Sequence, residues 1–130
     1  MKIEHIAIWT AQLEKLKTFY EIYFAARASS KYVNEKKHFE SYFLTFPSGE
    51  TRLEIMSLPS IKEFPVDKET PYTGYAHLAV SVNSKEKVDY LTTRLKGDGY
   101  TIIDGPRFTG DGYYESVILD PDGNRVEITI

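Results

Sequence analysis

Two histidines and two glutamates recur in this chain at matched distances. His5 is followed by Glu54 after 49 residues, and His77 by Glu127 after 50. Neutral imidazole nitrogens and ionised carboxylates are donors for divalent first-row metals. A set of two of each suits Ni, Co, Mn, Fe or Zn. Taken singly, a histidine or glutamate on a strand is more often a hydrogen-bonded or solvated residue than a ligand. The recurrence of the same two types at equivalent points weighs against that bland reading. Arg52 and Arg125 offer a rival account: each stands two residues from a glutamate, on the same strand face, and can pair with it.

The four positions belong to a longer repetition. His5-Ile6-Ala7-Ile8 matches His77-Leu78-Ala79-Val80 at an offset of 72 residues. Glu14-Lys15-Leu16 falls on Glu86-Lys87-Val88 at the same offset. Pro47-Ser48-Gly49 matches Pro121-Asp122-Gly123 at 74, and Arg52-Leu53-Glu54-Ile55 matches Arg125-Val126-Glu127-Ile128 at 73. Agreement in order at both ends of both halves indicates a duplication.

Each half reads as βαβββ. Lys2 to Trp9 has strand character. Ala11 to Ala25 is helical, with Leu13, Leu16, Phe19, Tyr20 and Tyr23 at spacings of three and four and Thr10 as its expected N-cap. A poorly marked strand falls within Arg27 to Val33. Phe39 to Phe46 and Thr51 to Ser57 are strands around the Pro47-Ser48-Gly49 turn. His38 has no counterpart in the second half and reads as a loop or strand-edge residue. The second half gives a strand at Gly74 to Val82 and a helix at Ser84 to Lys96 capped by Ser84. A strand at Tyr100 to Ile103, a glycine-rich loop at Asp104 to Gly112, and strands at Tyr113 to Leu119 and Asn124 to Ile130 complete it. We expect one α+β domain over 1–130, with repeat one at about 1–57, a connection at 58–73 and repeat two at about 74–130. Neither half-length unit can bury both its faces, so two units should curl into a shared sheet, from one chain or from two.

Composition narrows the function classes. Apolar residues are 42% and charged residues 27% of 130, ordinary globular usage. Sixteen basic against nineteen acidic residues give a net charge of −3, with no basic block of the kind nucleic-acid binding needs. Cysteine is absent, which removes disulfides, thiolate ligands and cysteine nucleophiles. No apolar run reaches membrane-span length, and Met1 to His5 has no signal-peptide character, so a cytoplasmic protein is expected. Phosphate-binding loops, nucleophile elbows and dinucleotide fingerprints are missing.

The chain resembles the vicinal oxygen chelate superfamily of glyoxalase I, bleomycin-resistance proteins and extradiol dioxygenases. His5-Ile6-Ala7-Ile8, Leu53-Glu54-Ile55, Tyr75-Ala76-His77-Leu78-Ala79-Val80 and Asp120-Pro121-Asp122-Gly123-Asn124-Arg125-Val126-Glu127 carry the likeness. The resemblance implies paired βαβββ units in an open eight-stranded mixed sheet or barrel around a metal cavity. It implies His5, Glu54, His77 and Glu127 as ligands of one divalent ion (Ni, Co, Zn, Mn or Fe), the pattern of bacterial glyoxalase I. It further implies lyase or isomerase chemistry on a small carbonyl or thiol-adduct substrate through an enediolate, with Glu127 and Glu54 as candidate bases. Similarity to short bacterial members implies a homodimer.

One position departs from that pattern. Glyoxalase I members carry an arginine four residues after the first ligand histidine; here that residue is Trp9. Strand parity puts Trp9 on the face of His5, where it would wall a pocket and favour a smaller or more apolar substrate than a glutathione adduct. Arg107 and Tyr113 are further candidates for substrate binding, with Arg107 as the anion contact. Two other readings remain open: an antibiotic-sequestering protein without catalysis, and an extradiol dioxygenase, which Glu54 disfavours by crowding the open metal positions.

Overall fold

The computed structural model describes residues 1–62, 70–71 and 73–130. Part of the connection expected at 58–73 therefore lies outside the described residues. The chain divides into two compact units, Met1–Pro65 and Val66–Ile130. Among the described residues, no helix is long and apolar enough to cross a membrane.

In the first unit, β1 (His5–Trp9) leads to α1 (Leu13–Phe24). Two short strands follow, β2 (Arg27–Ala28) and β3 (Tyr32–Asn34), then a single 3₁₀ turn at Glu35–Lys37, β4 (Phe39–Thr45) and β5 (Arg52–Ser57). The sheet order is β1-β5-β4-β2, with β3 also paired to β4. β1 and β5 run parallel; the other pairs are antiparallel. The poorly marked strand is thus two pieces along one edge of β4.

Residues opposite one another in a ladder share a face. Ile6, Ile8, Leu53, Ile55, Tyr42 and Leu44 therefore lie on one side of this sheet. That side meets α1 through its buried Leu13, Leu16, Phe19, Tyr20 and Phe24. The other side presents His5, Ala7, Trp9, Arg52, Glu54, Met56, Ser41 and Phe43. α1 starts at Leu13 rather than Ala11, and Thr10 is not its cap. The Thr10 N–H bonds Met56 O at 2.8 Å and so extends the β1–β5 ladder, while its hydroxyl accepts from Gln12 N at 2.9 Å.

The second unit holds β6 (Leu78–Ser81), α2 (Lys85–Gly97), β7 (Ile102–Phe108), β8 (Tyr114–Leu119) and β9 (Arg125–Thr129). Its sheet order is β6-β9-β8-β7, again with the first and last strands parallel neighbours. Ser84 caps α2, its hydroxyl accepting from Lys87 N at 3.3 Å. Leu78, Val80, Val126, Ile128, Ser116 and Ile118 share the side that packs on Val88, Leu91, Thr92 and Leu95 of α2. Inside that core the hydroxyls of Thr92 and Ser116 bond at 2.6 Å. Two elements differ from the sequence reading. β6 begins at Leu78, leaving 74–77 exposed ahead of it. β7 continues through Gly105 and Pro106 to Phe108, where a loop is expected, because register shifts on either side of Asp104 absorb the two residues. Each unit is α+β, and neither sheet closes on itself.

Candidate functional site

The pairing of first with last strand explains how residues 49 and 50 apart in sequence meet. Ala7 is the register partner of Glu54, and His5 lies two residues back on the same face. The His5 Nε2 to Glu54 Oε2 distance is 3.8 Å. In the second unit, Ala79 is the partner of Glu127, and His77 stands just ahead of β6. Its Nε2 lies 3.2 Å from Glu127 Oε2. The glutamate side chains are 15% and 19% exposed and the imidazoles 40% and 41%, so in both units a carboxylate on the sheet floor faces a more open ring.

The His77–Glu127 separation has the spacing of two donors on one cation, and the His5–Glu54 separation is a few tenths of an ångström wider. Two donors each about 2.1 Å from one ion, at the angles of tetrahedral or octahedral coordination, stand roughly 3.0–3.5 Å apart. Both pairs have donor chemistry suited to a divalent cation, and the second also has the spacing. Among the described residues, no three His, Asp or Glu side chains gather as a group able to hold a metal ion.

Around the first pair the neighbours are specific. Glu4 bonds His5 Nδ1 through one carboxylate oxygen and Arg52 Nη2 through the other. The His5 bond first, and then Arg52, hold the Glu4 carboxyl below the usual glutamate range. Arg52 therefore reaches Glu4, 48 residues away, rather than the Glu54 that parity also offers. Its guanidinium lies 4.1 Å from the centroid of the Phe43 ring, and His5 meets the same ring edge-on at 5.4 Å. Trp9 shares this face, is 48% exposed, and stands edge-on to Phe39 at 6.2 Å; Phe39 in turn meets Tyr32 at 6.0 Å.

The second pair has different neighbours. Glu115 on β8 shares the face of Glu127 and is the register partner of Arg107. Burial first, and the Glu127 charge next, push its carboxyl up from the usual value. The alternation Tyr114-Glu115-Ser116-Val117 carries that signal, since Ser116 and Ile118 mark the core side. Arg107 Nε donates to Asp104 Oδ2 at 2.6 Å, so this guanidinium is engaged within β7. Tyr113 is exposed in the β7–β8 hairpin, whereas Tyr114 packs on α2 and donates to Asp89 at 2.6 Å. Asp120 fixes the turn into β9: its carboxylate accepts from Asp122 N, Asn124 N and Asn124 Nδ2 at 3.0, 2.8 and 2.9 Å. That turn sets the register that aims Glu127.

His38 takes a left-handed conformation (φ 51°) after the 3₁₀ turn and joins neither pair. It borders a cavity of about 420 Å³ with Ala11, Glu40, Ser57, Leu58, Pro59 and Ile61. Glu40 and Ser57 alternate with Ser41 and Met56, so this cavity is on the opposite side of the sheet from His5 and Glu54.

The model of the Glyoxalase/Bleomycin resistance protein/Dioxygenase superfamily matches residues 2–128. The chain belongs to that superfamily. Among solved structures, a glyoxalase family protein from Enterococcus faecalis is similar over 99% of this chain and 97% of its own, with TM-score 0.78 and 23% identity. The trypanothione-dependent glyoxalase I of Leishmania major is similar over 99% and 86%, with TM-score 0.77 and 19% identity. At these identities the likeness is one of fold. The uncharacterized protein YqjT of Bacillus subtilis is 38% identical over 58 residues, a stretch spanning 42% of this chain and 45% of that protein. The glyoxalase fold accounts for the parallel contact of first and last strands in each βαβββ unit, which is what brings each histidine to its glutamate.

Proposed function

We propose that this protein is a metal-dependent, glyoxalase I-like lyase or isomerase acting on a small carbonyl or thiol-adduct substrate. The observation that carries the reading is the doubled His–Glu pair: His5 with Glu54 at 3.8 Å and His77 with Glu127 at 3.2 Å. The four side chains would hold one divalent ion of the Ni, Co, Zn, Mn or Fe group. A cation so held would polarise a carbonyl oxygen and stabilise the charge that develops when the neighbouring C–H ionises. Glu127, with Glu54 as its repeat mate, takes that proton and returns it to the adjacent carbon. Each is a floor carboxylate with its own imidazole neighbour, which suits a base that must be fixed in place. The protein would act in the cytoplasm as a homodimer.

The aromatic run Trp9–Phe39–Tyr32, exposed at its two ends, favours a second reading, a binding protein that holds a flat apolar molecule without turning it over. Metal content separates the two, because aromatic sequestration needs no cation. The test is a screen of metal-reconstituted protein against hemithioacetals made from several thiols, following thioester product. Stoichiometric metal with turnover of at least one adduct supports the lyase; protein that takes up no metal and turns over nothing overturns it.

A further inference from the structure

We propose that Glu4 is a positioning residue that fixes the tautomer of His5. A carboxylate only accepts hydrogen bonds, so the His5 nitrogen bonded to Glu4, Nδ1, must carry the proton. In the neutral ring Nε2 is then the bare nitrogen, and Nε2 is the atom that faces Glu54. The lone pair a cation would take is thus already aimed into the candidate site.

The support behind Glu4 is built from three further groups. Arg52 takes its second oxygen, so the carboxylate cannot swing away without losing a charge-assisted bond. Arg52 is held by stacking on Phe43. Phe43 also takes the edge of the His5 ring, which limits rotation of the imidazole about its own axis. A carboxylate behind a ligand histidine orients the ring and raises its basicity, and loss of such a partner costs about 10–100-fold in metal affinity.

Among the described residues, the second repeat shows no such carboxylate behind its histidine. Ala76 precedes His77 where Glu4 precedes His5, and a methyl group cannot accept a hydrogen bond. The two imidazoles, equivalent by duplication, are therefore set differently: Glu4 meets His5 at Nδ1, whereas the carboxylate beside His77, Glu127, faces its Nε2 at 3.2 Å. The consequence for cation binding rests on the function proposed above; the tautomer itself does not.

Nitrogen-resolved NMR of the imidazoles in the metal-free full chain tests the tautomer directly. Wild type should show His5 protonated at Nδ1 and bare at Nε2, and His77, whose Nε2 faces Glu127, without that bias toward Nδ1. Glu4→Ala should redistribute His5 and leave His77 unchanged. Glu4→Gln, which keeps an acceptor and nearly the same shape, should retain the tautomer and covers the case where Glu4→Ala misfolds. Titration with Co(II), read from its visible absorption, should show Glu4→Ala weakened about 10–100-fold and Glu4→Gln weakened less. A wild-type His5 protonated on both nitrogens, or one indifferent to loss of Glu4, overturns the proposal even if Co(II) binds. If the tautomer follows Glu4 while wild type binds no Co(II), the positioning role stands and the metal reading falls.

Discussion

His77 Nε2 stands 3.2 Å from Glu127 Oε2, repeating at the other end of the chain the 3.8 Å contact of His5 with Glu54. Two unlike residue types are brought together twice, by the equivalent parallel pairs β1–β5 and β6–β9. If the four share a cation, removing either imidazole removes a quarter of its donors. We expect His5→Ala and His77→Ala each to cost several kcal/mol of affinity for a divalent ion, as ligand loss does in built sites. His38→Ala should leave it unchanged, since His38 borders a cavity on the other side of the sheet. Metal analysis after reconstitution, with competition titration, reads this. Equal metal content in all three variants would remove the site.

Gly105 offers a prediction about the scaffold that carries Glu115. Its φ is +77°, and an added Cβ would lie 2.5 Å from the Glu115 carbonyl oxygen and 2.9 Å from Ser116 Cα. Both obstacles are backbone, so the β7–β8 ladder itself would have to move. Gly105→Ala should destabilise the protein by about 2–4 kcal/mol, combining left-handed strain with overpacking. At Gly110 a Cβ would enter open space, with no atom within 4 Å, and φ is outside the left-handed range. Gly110→Ala should stay within about 0.5 kcal/mol of wild type. Urea unfolding of the two variants side by side decides it; equal midpoints would show that the bulged strand yields.

Much of this arrangement is legible in the sequence, and the exceptions have physical causes. Leu13, Leu16, Phe19 and Tyr20 at three and four spacing mark α1, and Ser84 announces α2, because local hydrogen bonds and one apolar stripe decide a helix. The meeting of His5 with Glu54 follows from parity plus duplication. The role of Glu4 does not, because it depends on Arg52, 48 residues on, choosing Glu4 over the equally available Glu54. The full length of β7 is hidden because Gly105 and Pro106 usually break strands; here irregular pairing lets the ladder pass them. Thr10 has the residue type of a cap but not the role, because α1 starts at Leu13 and the Thr10 hydroxyl accepts from Gln12 N, ahead of the helix.

A pH prediction follows from Glu14 on α1. Lys31 Nζ lies 2.8 Å from its carboxylate, and Tyr42 donates its hydroxyl at 2.9 Å. The Lys31 bond foremost holds this carboxyl below its ordinary value of 4.5. A depressed folded value means stability that is fully present above the unfolded value and lost as pH falls through the folded one. The Glu14 contribution should thus hold at pH 7 and fade below about pH 4.5. The pair is partly exposed, so the contribution at neutral pH should be under ~1 kcal/mol. Glu14→Gln should be slightly less stable than wild type at pH 7 and should converge with it in acid. Urea melts between pH 7 and pH 3 measure the gap; a gap constant with pH would show that the carboxylate charge plays no part.

Trp9 sets the sharpest expectation about substrate. It shares its sheet face with His5 and Glu54, is half exposed, and is braced edge-on by Phe39 at 6.2 Å. An arginine there would offer a planar, bidentate partner for a carboxylate; an indole offers one N–H and a broad apolar face. The other cation considered for an anionic substrate, Arg107, is engaged by Asp104 through its Nε at 2.6 Å. Glutathione adducts, with their carboxylates, should therefore be poor substrates beside adducts of a small uncharged thiol. Trp9→Arg should move the ratio of kcat/KM toward the glutathione adduct by about 5–150-fold, the equivalent of ~1–3 kcal/mol for a charge-assisted hydrogen bond. Phe39→Leu serves as a control, since it loosens the brace without supplying a cation and should lower turnover of the apolar adduct while leaving the glutathione adduct poor. Steady-state kinetics with both hemithioacetals on all three proteins reads the outcome. Efficient wild-type turnover of the glutathione adduct, with no gain in Trp9→Arg, would show that this ring does not choose the substrate.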